Sequence, residues 1–258
     1  MHTEEAREFI KRLTGKAYVV FTTRGNQSIL EALRHHKEKK KVLTQDQGGW
    51  ITYTQAIKKL KMQEVRLITE HGAADRTFKA QIRDHPDSVL LWNSMPAYAA
   101  CDDTRMIHEE CRKNNITFIN DVSGSIGTDH AKHGDVIIGS FGKNKPIDVG
   151  EGGFIASNTP INTAETPPHH SLMDKLKNLE HRLAMYERER AKVIKDLNHY
   201  RIVHKDRKGI NVIVLFDSDK ERDALIKYCQ DHHLEFTLCP RYIRVNQKAV
   251  SIEIKRKA

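Results

Sequence analysis

The sequence predicts an α/β protein in which three layers surround a mainly parallel sheet, followed by a reduced α+β domain at the carboxyl end. Two observations predict this fold class. Short β-rich runs alternate with helical segments over the first two thirds of the 258 residues, which is the pattern of βαβ units. A Thr- and Pro-rich linker and a long apolar stripe then precede a second, smaller set of alternating segments.

The predicted strands of the large domain share short runs of apolar and β-branched residues. They cover residues 17–21, 41–44, 65–68, 88–92, 117–120, 136–139 and 153–156. Helical spacing between the runs predicts helices at 28–36, 52–60 and 103–113. This alternation assigns residues 1–158 to one large domain.

Residues 159–208 are predicted to hold a linker and one long amphipathic helix. An apolar stripe runs from Leu172 to Leu197 with Arg190 as its one break, which favours packing on the same domain or a dimer mate over an extended coiled coil. Residues 209–258 form the predicted small α+β domain. Its strands are expected at 212–216, 234–238, 242–245 and 250–254, with a helix at 219–231.

Composition narrows the class of protein without choosing a ligand. Hydrophobic residues make up 38% and charged residues 30%, which excludes collagen-like chains and wholesale disorder. The net charge of +9 favours anionic partners, whether phosphates, nucleotides or nucleic acid. Four cysteines without a C-x-x-C pair indicate free thiols, and neither a signal peptide nor an apolar run of membrane-spanning length is apparent. We therefore expect a soluble cytoplasmic protein.

Ligands of open parallel sheets bind at the carboxyl ends of strands, so the residues after each strand are the candidate site. Gly25, Asn26 and Gln27 lie in a turn that opens a helix, where free backbone N–H groups suit a phosphate. A plain capped turn explains them about as well. Trp50 follows two glycines and either stacks on a flat ligand or caps the core.

Two further strand ends carry reactive side chains. Asp121 ends an apolar strand, where a carboxylate needs a cationic ligand group or a helix-capping role. The segment after residue 139 holds Ser140, Lys143, Lys145 and a Gly-Glu-Gly-Gly turn. A lysine beside a buried strand is a candidate Schiff-base amine, and the alternative is a surface phosphate-binding loop.

Taken in order, these motifs resemble the DegT/StrS-type aminotransferases, which are pyridoxal-phosphate enzymes of fold type I. The resemblance runs from about residue 19 to 158 and is carried by Ser-Phe-x-x-x-Lys-x-x-x-x-Gly-Glu-Gly-Gly after the strand that ends in Asp. It implies that Lys145 forms an internal aldimine with pyridoxal 5'-phosphate and that Ser140 binds the phosphate. Lys143 is the weaker candidate for the Schiff base.

The resemblance assigns roles to the other candidates as well. Asp121 would pair with the pyridine nitrogen and keep it protonated, so that the ring acts as an electron sink. Trp50 would stack on the ring, and Gly25, Asn26 and Gln27 would hold the phosphate. The catalytic residues so implied are Lys145 and Asp121.

This chain also departs from the family's pattern. Gly124 stands where the family usually has a Gln that touches the phenolic oxygen of the cofactor, and Gly142 stands where a His often follows the motif Phe. The chain is shorter than typical members, mostly in the small domain. These departures favour cofactor binding over efficient transamination.

The expected function is therefore a pyridoxal-phosphate-dependent aminotransferase that passes an amino group from a small amino donor to a carbonyl acceptor. By resemblance, the acceptor is a keto-sugar nucleotide and the protein a homodimer. A cofactor-dependent lyase or decarboxylase, and a non-enzymatic protein that binds the cofactor, a nucleotide or RNA, are the alternatives, although no RNA-binding motif is present. Adjacent histidine pairs cannot place both rings on one side of an element, so we assign no metal site. Candidate substrate contacts are Tyr98, Arg105, Arg241 and Arg244.

Overall fold

The computed structural model describes residues 2–257, which include a seven-stranded sheet. Its strands are β1 (Tyr18–Thr22), β2 (Lys41–Gln45), β3 (Gln63–Leu67), β4 (Val89–Asn93), β5 (Thr117–Asp121), β6 (Val136–Ser140) and β7 (Gly153–Ser157). The strand order is β1-β7-β6-β5-β4-β2-β3, and β7 runs antiparallel to both β1 and β6. The other neighbouring strands are parallel, which confirms the predicted mainly parallel sheet.

Helices cover both faces of this sheet. They are α1 (His2–Thr14), α2 (Gly25–His35), α3 (Thr52–Lys59), α4 (Phe78–Arg83), α5 (Thr104–Lys113) and α6 (Leu172–Lys177). Successive residues of a strand point to opposite faces, so Leu91 packs in the cluster under α2 and α3, whereas Leu90 packs with α4 and α5. The sheet face that α4 and α5 cover continues to β1 and β7, where α1 and α6 cover it. The three-layer prediction is confirmed.

The small domain is built on a four-stranded antiparallel sheet in the order β10-β11-β9-β8. Its elements are β8 (Arg201–Ile202), β9 (Val212–Leu215), α8 (Asp219–Asp231), β10 (Phe236–Cys239) and β11 (Ala249–Ile252), preceded by α7 (Leu179–Asp196). Ser218 caps α8 by accepting a hydrogen bond from the Glu221 amide at 3.2 Å. Leu225 and Cys229 of α8 pack against the sheet.

The predicted single long helix is wrong, because the chain breaks it at Asn178 into α6 and α7. Most of each helix packs in a different core, although Leu179 at the start of α7 still joins the cluster of α6. Leu176 of α6 joins the cluster around α1, whereas Tyr186 and Val193 of α7 join the small-domain cluster. Arg190, the break in the apolar stripe, is nevertheless buried and donates to the carbonyls of the 204–205 turn.

A strand predicted at 242–245 is also wrong, since these residues form a turn. The Arg241 amide closes the turn by donating to the Val245 carbonyl at 2.8 Å, and further bonds go to the large domain instead of to a neighbouring strand. The Tyr242 carbonyl accepts from the Gly48 amide at 2.7 Å, and the Asn246 amide donates to the Gln47 side chain at 2.8 Å. This turn therefore joins the small domain to the loop that precedes Trp50.

None of the helices within residues 2–257 has both the length and the apolar character that a membrane crossing requires.

Candidate active site

A small cavity of about 60 Å³ opens at the carboxyl ends of β4, β5 and β6, beside the start of α2. This is the edge of a parallel sheet where ligands bind. Its lining consists of Gly25, Asn26, Ile29, Gly49, Trp50, Asn93, Tyr98, Asp121, Ser123, Ile138, Gly139, Ser140, Lys145 and Ile243. Ile243 comes from the small domain, so both domains contribute to the wall.

One end of the cavity is a close contact between the start of α2 and the end of β6. A Cβ atom on Gly25 would lie 2.6 Å from Cβ and 2.8 Å from Oγ of Ser140, so only glycine fits there. Within the described chain, the Arg24 side chain makes no capping bond to α2. The first N–H groups of a helix lack intrahelical partners, and together with the Ser140 hydroxyl they suit an anion.

The side wall is formed by Trp50, whose indole Nε1 donates to Oδ1 of Asn26 at 3.0 Å. This bond links the loop after β2 to the first turn of α2, and it fixes the orientation of an aromatic ring that is only half-buried. An aromatic face so held can stack on a planar ligand.

The floor carries a carboxylate that is largely removed from solvent. Asp121 is 6% exposed, and its Oδ2 accepts from the Tyr53 hydroxyl at 2.6 Å while Oδ1 accepts from the Ser123 amide at 2.9 Å. Burial, and then the charge of Asp121 and its hydrogen bond, raise the pKa of Tyr53 well above its usual value. The phenol therefore stays protonated and donates to Asp121.

Lys145 lies in the loop between β6 and β7, and its Nζ donates a hydrogen bond to the Tyr98 hydroxyl. The same Nζ lies 4.6 Å from the Tyr98 ring centre and 5.2 Å from that of Trp50. Lys143, two residues earlier, is exposed and outside the cavity lining. The structure thus brings Lys145, but not Lys143, to the site.

The backbone that carries Tyr98 has an unusual conformation. Ala97 and Tyr98 have φ values of 55° and 62°, in the left-handed region that non-glycine residues rarely adopt. A Cβ on Gly124 would lie 2.9 Å from Cδ1 of the Tyr98 ring. The departure at Gly124 therefore has a structural reason, because the Tyr98 ring fills the space that a side chain at 124 would need.

Charged side chains of the small domain also lie close to the Tyr98 ring. Lys255 Nζ lies 4.2 Å and Arg244 Cζ 5.5 Å from the Tyr98 ring centre. Arg244 and Glu253 form a buried two-bond ion pair, with Nε to Oε1 and NH2 to Oε2 both at 2.7 Å. These charged residues lie outside the sequence motifs that predicted the site.

The structure brings most of the predicted cofactor residues together. Gly25, Asn26, Trp50, Asp121, Ser140 and Lys145 all line the cavity. Gln27 does not, since its Oε1 accepts from the amide of Thr23 at 3.1 Å and so closes the turn before α2. It has a supporting role in the turn.

Some of the candidate substrate contacts also lie at the cavity, and others lie away from it. Tyr98 lines the cavity, and Arg244 is buried against the Tyr98 ring with its charge already paired to Glu253. Arg241 is exposed on the domain-linking turn, and Arg105 lies on α5 with a 77% exposed side chain beside Glu109. Neither of these two belongs to the cavity lining.

Two side chains that contact the cavity lining, Tyr53 beside Asp121 and Lys255 beside Tyr98, carry no sequence signal of their own. Tyr53 lies inside an amphipathic helix, and Lys255 belongs to a basic segment that resembles a solvated tail. A weak signal for Tyr53 is that it comes three residues after Trp50.

The cysteines are free, as the sequence predicts, and the structure buries all four. Burial raises the pKa of Cys101 to about 12 and that of Cys229 to about 11. Burial likewise raises the pKa values of Cys111 and Cys239. The four thiols therefore remain protonated at neutral pH and are poor nucleophiles.

The donor set fits a phosphorylated pyridine. The Gly25–Ser140 contact offers an anion site, Asp121 a carboxylate for a ring nitrogen, and Lys145 a primary amine within the same cavity. Small-molecule pockets commonly hold roughly 300–1,000 Å³, and this cavity, at about 60 Å³, is smaller.

Comparisons with known proteins agree with this architecture. A family model described as "MJ1341 family C-terminal domain" matches residues 177–257, which comprise α7 and the small domain. No curated protein matches the chain in sequence.

Solved structures resemble nearly the whole chain. The Helicobacter pylori aminotransferase PseC, which is involved in pseudoaminic acid biosynthesis, superposes with a TM-score of 0.78 at 12% identity, covering 98% of this chain and 85% of its own. A DegT DnrJ EryC1 StrS aminotransferase from Brucella abortus gives 0.74 at 13% identity, covering 97% and 84%. A structure of SPT with a PLP internal aldimine gives 0.68 at 13% identity, covering 97% and 70%.

Because the sequence identities are only 12–13%, these similarities show a shared fold and nothing more. The fold implied by the resemblance to the DegT/StrS-type aminotransferases is confirmed, as are the large parallel sheet and the small antiparallel one.

Proposed function

We propose that the protein is a pyridoxal-phosphate-dependent enzyme of aminotransferase type in which Lys145 carries the cofactor. One observation supports this most strongly. A primary amine, a buried carboxylate, an aromatic ring and a glycine-lined helix start converge in one cavity at the sheet edge, in a fold shared with known aminotransferases. Each component is common alone, but their convergence is specific to this chemistry.

The cofactor, when bound, supplies an electron sink for negative charge at the substrate α-carbon. The protein's own residues then have separate tasks. Asp121, oriented by Tyr53 and Ser123, holds a proton on the ring nitrogen, because a buried carboxylate stabilises a nearby positive charge. The amides of the first α2 turn and the Ser140 hydroxyl bind the phosphate, and Trp50 excludes water from one ring face.

Lys145 is suited to move a proton. Among the residues that line the cavity it provides the primary amine, and its hydrogen-bond partner, the Tyr98 hydroxyl, can both accept and donate a proton. The small-domain turn that contains Ile243 closes the opposite wall. Proton transfer would thus occur in a site built by both domains.

We further propose that the amino group passes to the carbonyl of an anionic acceptor, with a keto-sugar nucleotide as the candidate. The net charge of +9 supports an anionic substrate. The structural likeness to an aminotransferase of pseudoaminic acid biosynthesis supports a sugar acceptor.

A lyase or decarboxylase using the same cofactor is the second candidate. The observation in its favour is Gly124, where Tyr98 fills the place of the side chain that the aminotransferase pattern has. A desulfurase is not favoured, because burial keeps the four thiols protonated. We also propose a cytoplasmic homodimer: the buried free thiols support the compartment, and Ile51, 52% exposed beside Trp50, supports an apolar contact at the site mouth.

The proposal is tested by mixing the protein with pyridoxal phosphate, recording the visible absorbance of a Schiff base, and mapping the borohydride-reduced peptide. We expect the label on Lys145 and no band in Lys145→Ala. Lys143→Ala is the matched control, since it removes an exposed lysine of the same loop and should keep the band. A label elsewhere would overturn the assignment.

The reaction type needs a second measurement. Incubation with a panel of amino acids should convert the bound aldehyde to pyridoxamine phosphate if the protein is an aminotransferase. Release of CO₂ or of an eliminated group, with the aldehyde regenerated, would favour the lyase or decarboxylase instead.

A further inference from the structure

The small domain holds the backbone of Tyr98 in a conformation that is rare for its residue type. Ala97 and Tyr98 both have positive φ values, 55° and 62°. The Tyr98 carbonyl accepts from the amides of Ile210 and Asn211, at 2.9 and 2.8 Å, so the segment that leads into β9 fixes this turn. Such backbone persists only where its surroundings over-determine it, and it is common at functional sites. The position of the Tyr98 side chain is thus set by both domains.

The hydroxyl of Tyr98 has a proton that is not used in a hydrogen bond. The residue is 6% exposed, and its hydroxyl accepts from Lys145 Nζ. Among residues 2–257, no group accepts the proton of this hydroxyl in return. A hydroxyl can donate as well as accept, and buried polar groups are normally bonded. The unused proton is therefore available to a ligand in the cavity that Tyr98 lines.

The Tyr98 ring takes a place that a neighbouring residue leaves empty. Gly124 has no side chain, and a Cβ atom there would lie 2.9 Å from Cδ1 and 3.1 Å from Cε1 of the Tyr98 ring. Asn93, another polar residue of the lining, is already bonded through Nδ2 to the Gly48 carbonyl at 2.9 Å. Tyr98 thus fills the volume beside Gly124 and brings its own hydroxyl to Lys145.

The chemistry of pyridoxal phosphate puts an oxygen next to the atom that Lys145 would bond. The aldehyde and the phenolic hydroxyl of the cofactor stand on adjacent ring atoms, so a lysine nitrogen bonded to the aldehyde carbon lies beside the phenolic oxygen. This nitrogen keeps at most one hydrogen, which it shares with that oxygen. The Tyr98 hydroxyl would then lose the bond that it accepts from Nζ, and its own proton would have an anionic acceptor beside the same nitrogen.

We propose that the Tyr98 hydroxyl donates a hydrogen bond to the phenolic oxygen of the cofactor that Lys145 carries. The bond stabilises negative charge on this oxygen and weakens its hold on the Schiff-base proton, so the Schiff base loses that proton at a lower pH. Tyr98 thereby supplies a cofactor contact that position 124 has no side chain to make. This inference rests on the proposed role of Lys145.

The test compares wild type with Tyr98→Phe, which removes the hydroxyl and keeps the ring. Each protein is loaded with pyridoxal phosphate, and the visible absorbance of the Schiff base is titrated against pH. We expect the midpoint of this titration to rise by on the order of one pH unit in Tyr98→Phe, because the phenolic oxygen would hold the proton more tightly. An unchanged or lower midpoint in the folded variant overturns the proposal.

A cofactor analogue isolates the contribution of the oxygen. The analogue has hydrogen in place of the phenolic hydroxyl and keeps the aldehyde and the phosphate. Tyr98→Phe should weaken the affinity for pyridoxal phosphate roughly tenfold, whereas its affinity for the analogue should stay within about twofold of wild type. Equal losses for the two aldehydes would mean that the hydroxyl acts on the lysine or on the fold, and would overturn the proposal.

Tyr242→Phe is the matched control, because Tyr242 is a partly buried tyrosine outside the cavity lining, and its hydroxyl donates to the Gln45 carbonyl at 3.4 Å. It should keep the wild-type midpoint, and an equal rise in both variants overturns the proposal. Circular dichroism checks folding, and Tyr98→Leu replaces Tyr98→Phe if the latter is unfolded. Without a Schiff-base band in wild type the proposed function fails as well, whereas a wild-type band with an unchanged midpoint in Tyr98→Phe overturns this inference alone.

Discussion

Gly25 and Ser140 approach so closely that a Cβ atom on Gly25 would lie 2.6 Å from Cβ of Ser140. The contact joins the first residue of α2 to the last residue of β6. It brings the helix amides and the serine hydroxyl to the same point, and this is the anion site that the proposed phosphate needs.

Gly25→Ala should therefore separate α2 from β6. We expect a loss of about 1–3 kcal/mol in the free energy of unfolding from overpacking, and at least a tenfold weaker affinity for pyridoxal phosphate. Urea denaturation and absorbance titration measure the two effects. Ser140→Ala removes only the hydroxyl, so it should weaken cofactor binding with little change in stability.

A double variant checks the steric cause. Gly25→Ala combined with Ser140→Gly removes both atoms that the new methyl group would meet first. Stability should return while cofactor affinity stays low. If the double variant is no more stable than Gly25→Ala, the contact is not the reason for the loss.

Tyr53→Phe should destabilise the protein by about 1–3 kcal/mol, because Asp121 would lose a buried donor at 2.6 Å. Its affinity for the cofactor should fall as well, since the carboxylate would be less firmly oriented. Equilibrium unfolding and cofactor titration provide the measurements. Tyr242→Phe is the control, because its hydroxyl donates to a neutral carbonyl at 3.4 Å, and we expect a smaller loss. Equal losses in the two variants would contradict the assigned role.

Glu253→Gln should cost about 3–5 kcal/mol at neutral pH, because Arg244 would be left as a buried unpaired charge. Burial acts to raise the pKa of Glu253, but the hydrogen bond and charge of Arg244 outweigh it and lower the pKa. The pair therefore stabilises the fold at pH values above the usual pKa of a glutamate. This stabilisation is lost as the pH falls through the lowered pKa of Glu253.

Unfolding experiments from neutral to acidic pH test this sign, with a weaker acid dependence expected in Glu253→Gln. Glu235→Gln is the control. Its carboxylate is 64% exposed and pairs with Arg256 at 2.7 Å, so we expect a loss of at most about 1 kcal/mol.

Lys255→Met should increase stability at neutral pH. The pKa of Lys255 is lowered from 10.5 to about 7, so between these values the unfolded chain binds a proton that the folded chain does not. Wild-type stability should therefore rise with pH across this window through this group, and the variant should lack that rise. Urea unfolding at several pH values measures the slope. A Lys255→Met slope equal to that of wild type and Lys257→Met would contradict the expectation.

The sequence predicted those parts of the protein that depend on local patterns. The strands of the large sheet lie within two residues of their predicted bounds, because a strand buried on both faces, such as β4, needs a continuous apolar run. Asp121, Ser140 and Lys145 were predictable for a related reason. Asp121 and Ser140 end such runs, Lys145 follows in the next loop, and parallel strands end at the same edge of the sheet.

Other features depend on contacts between distant segments. The break at Asn178 arises because α6 and α7 pack in different cores, although their apolar stripe is continuous in sequence. Residues 242–245 form a turn that its own backbone closes between Arg241 and Val245, and the Gly48 amide holds it against the loop before Trp50.

By itself, the sequence determined the fold class and the motif residues, since both follow from hydrophobic periodicity and the chemistry of strand ends. Only the tertiary structure decided that Tyr98 fills the space beside Gly124 and that Lys255 comes within 4.2 Å of the Tyr98 ring centre. The physical reason is that burial and charge coupling depend on which residues meet in space, and a basic residue near the chain end resembles a solvated one until the small domain packs around it.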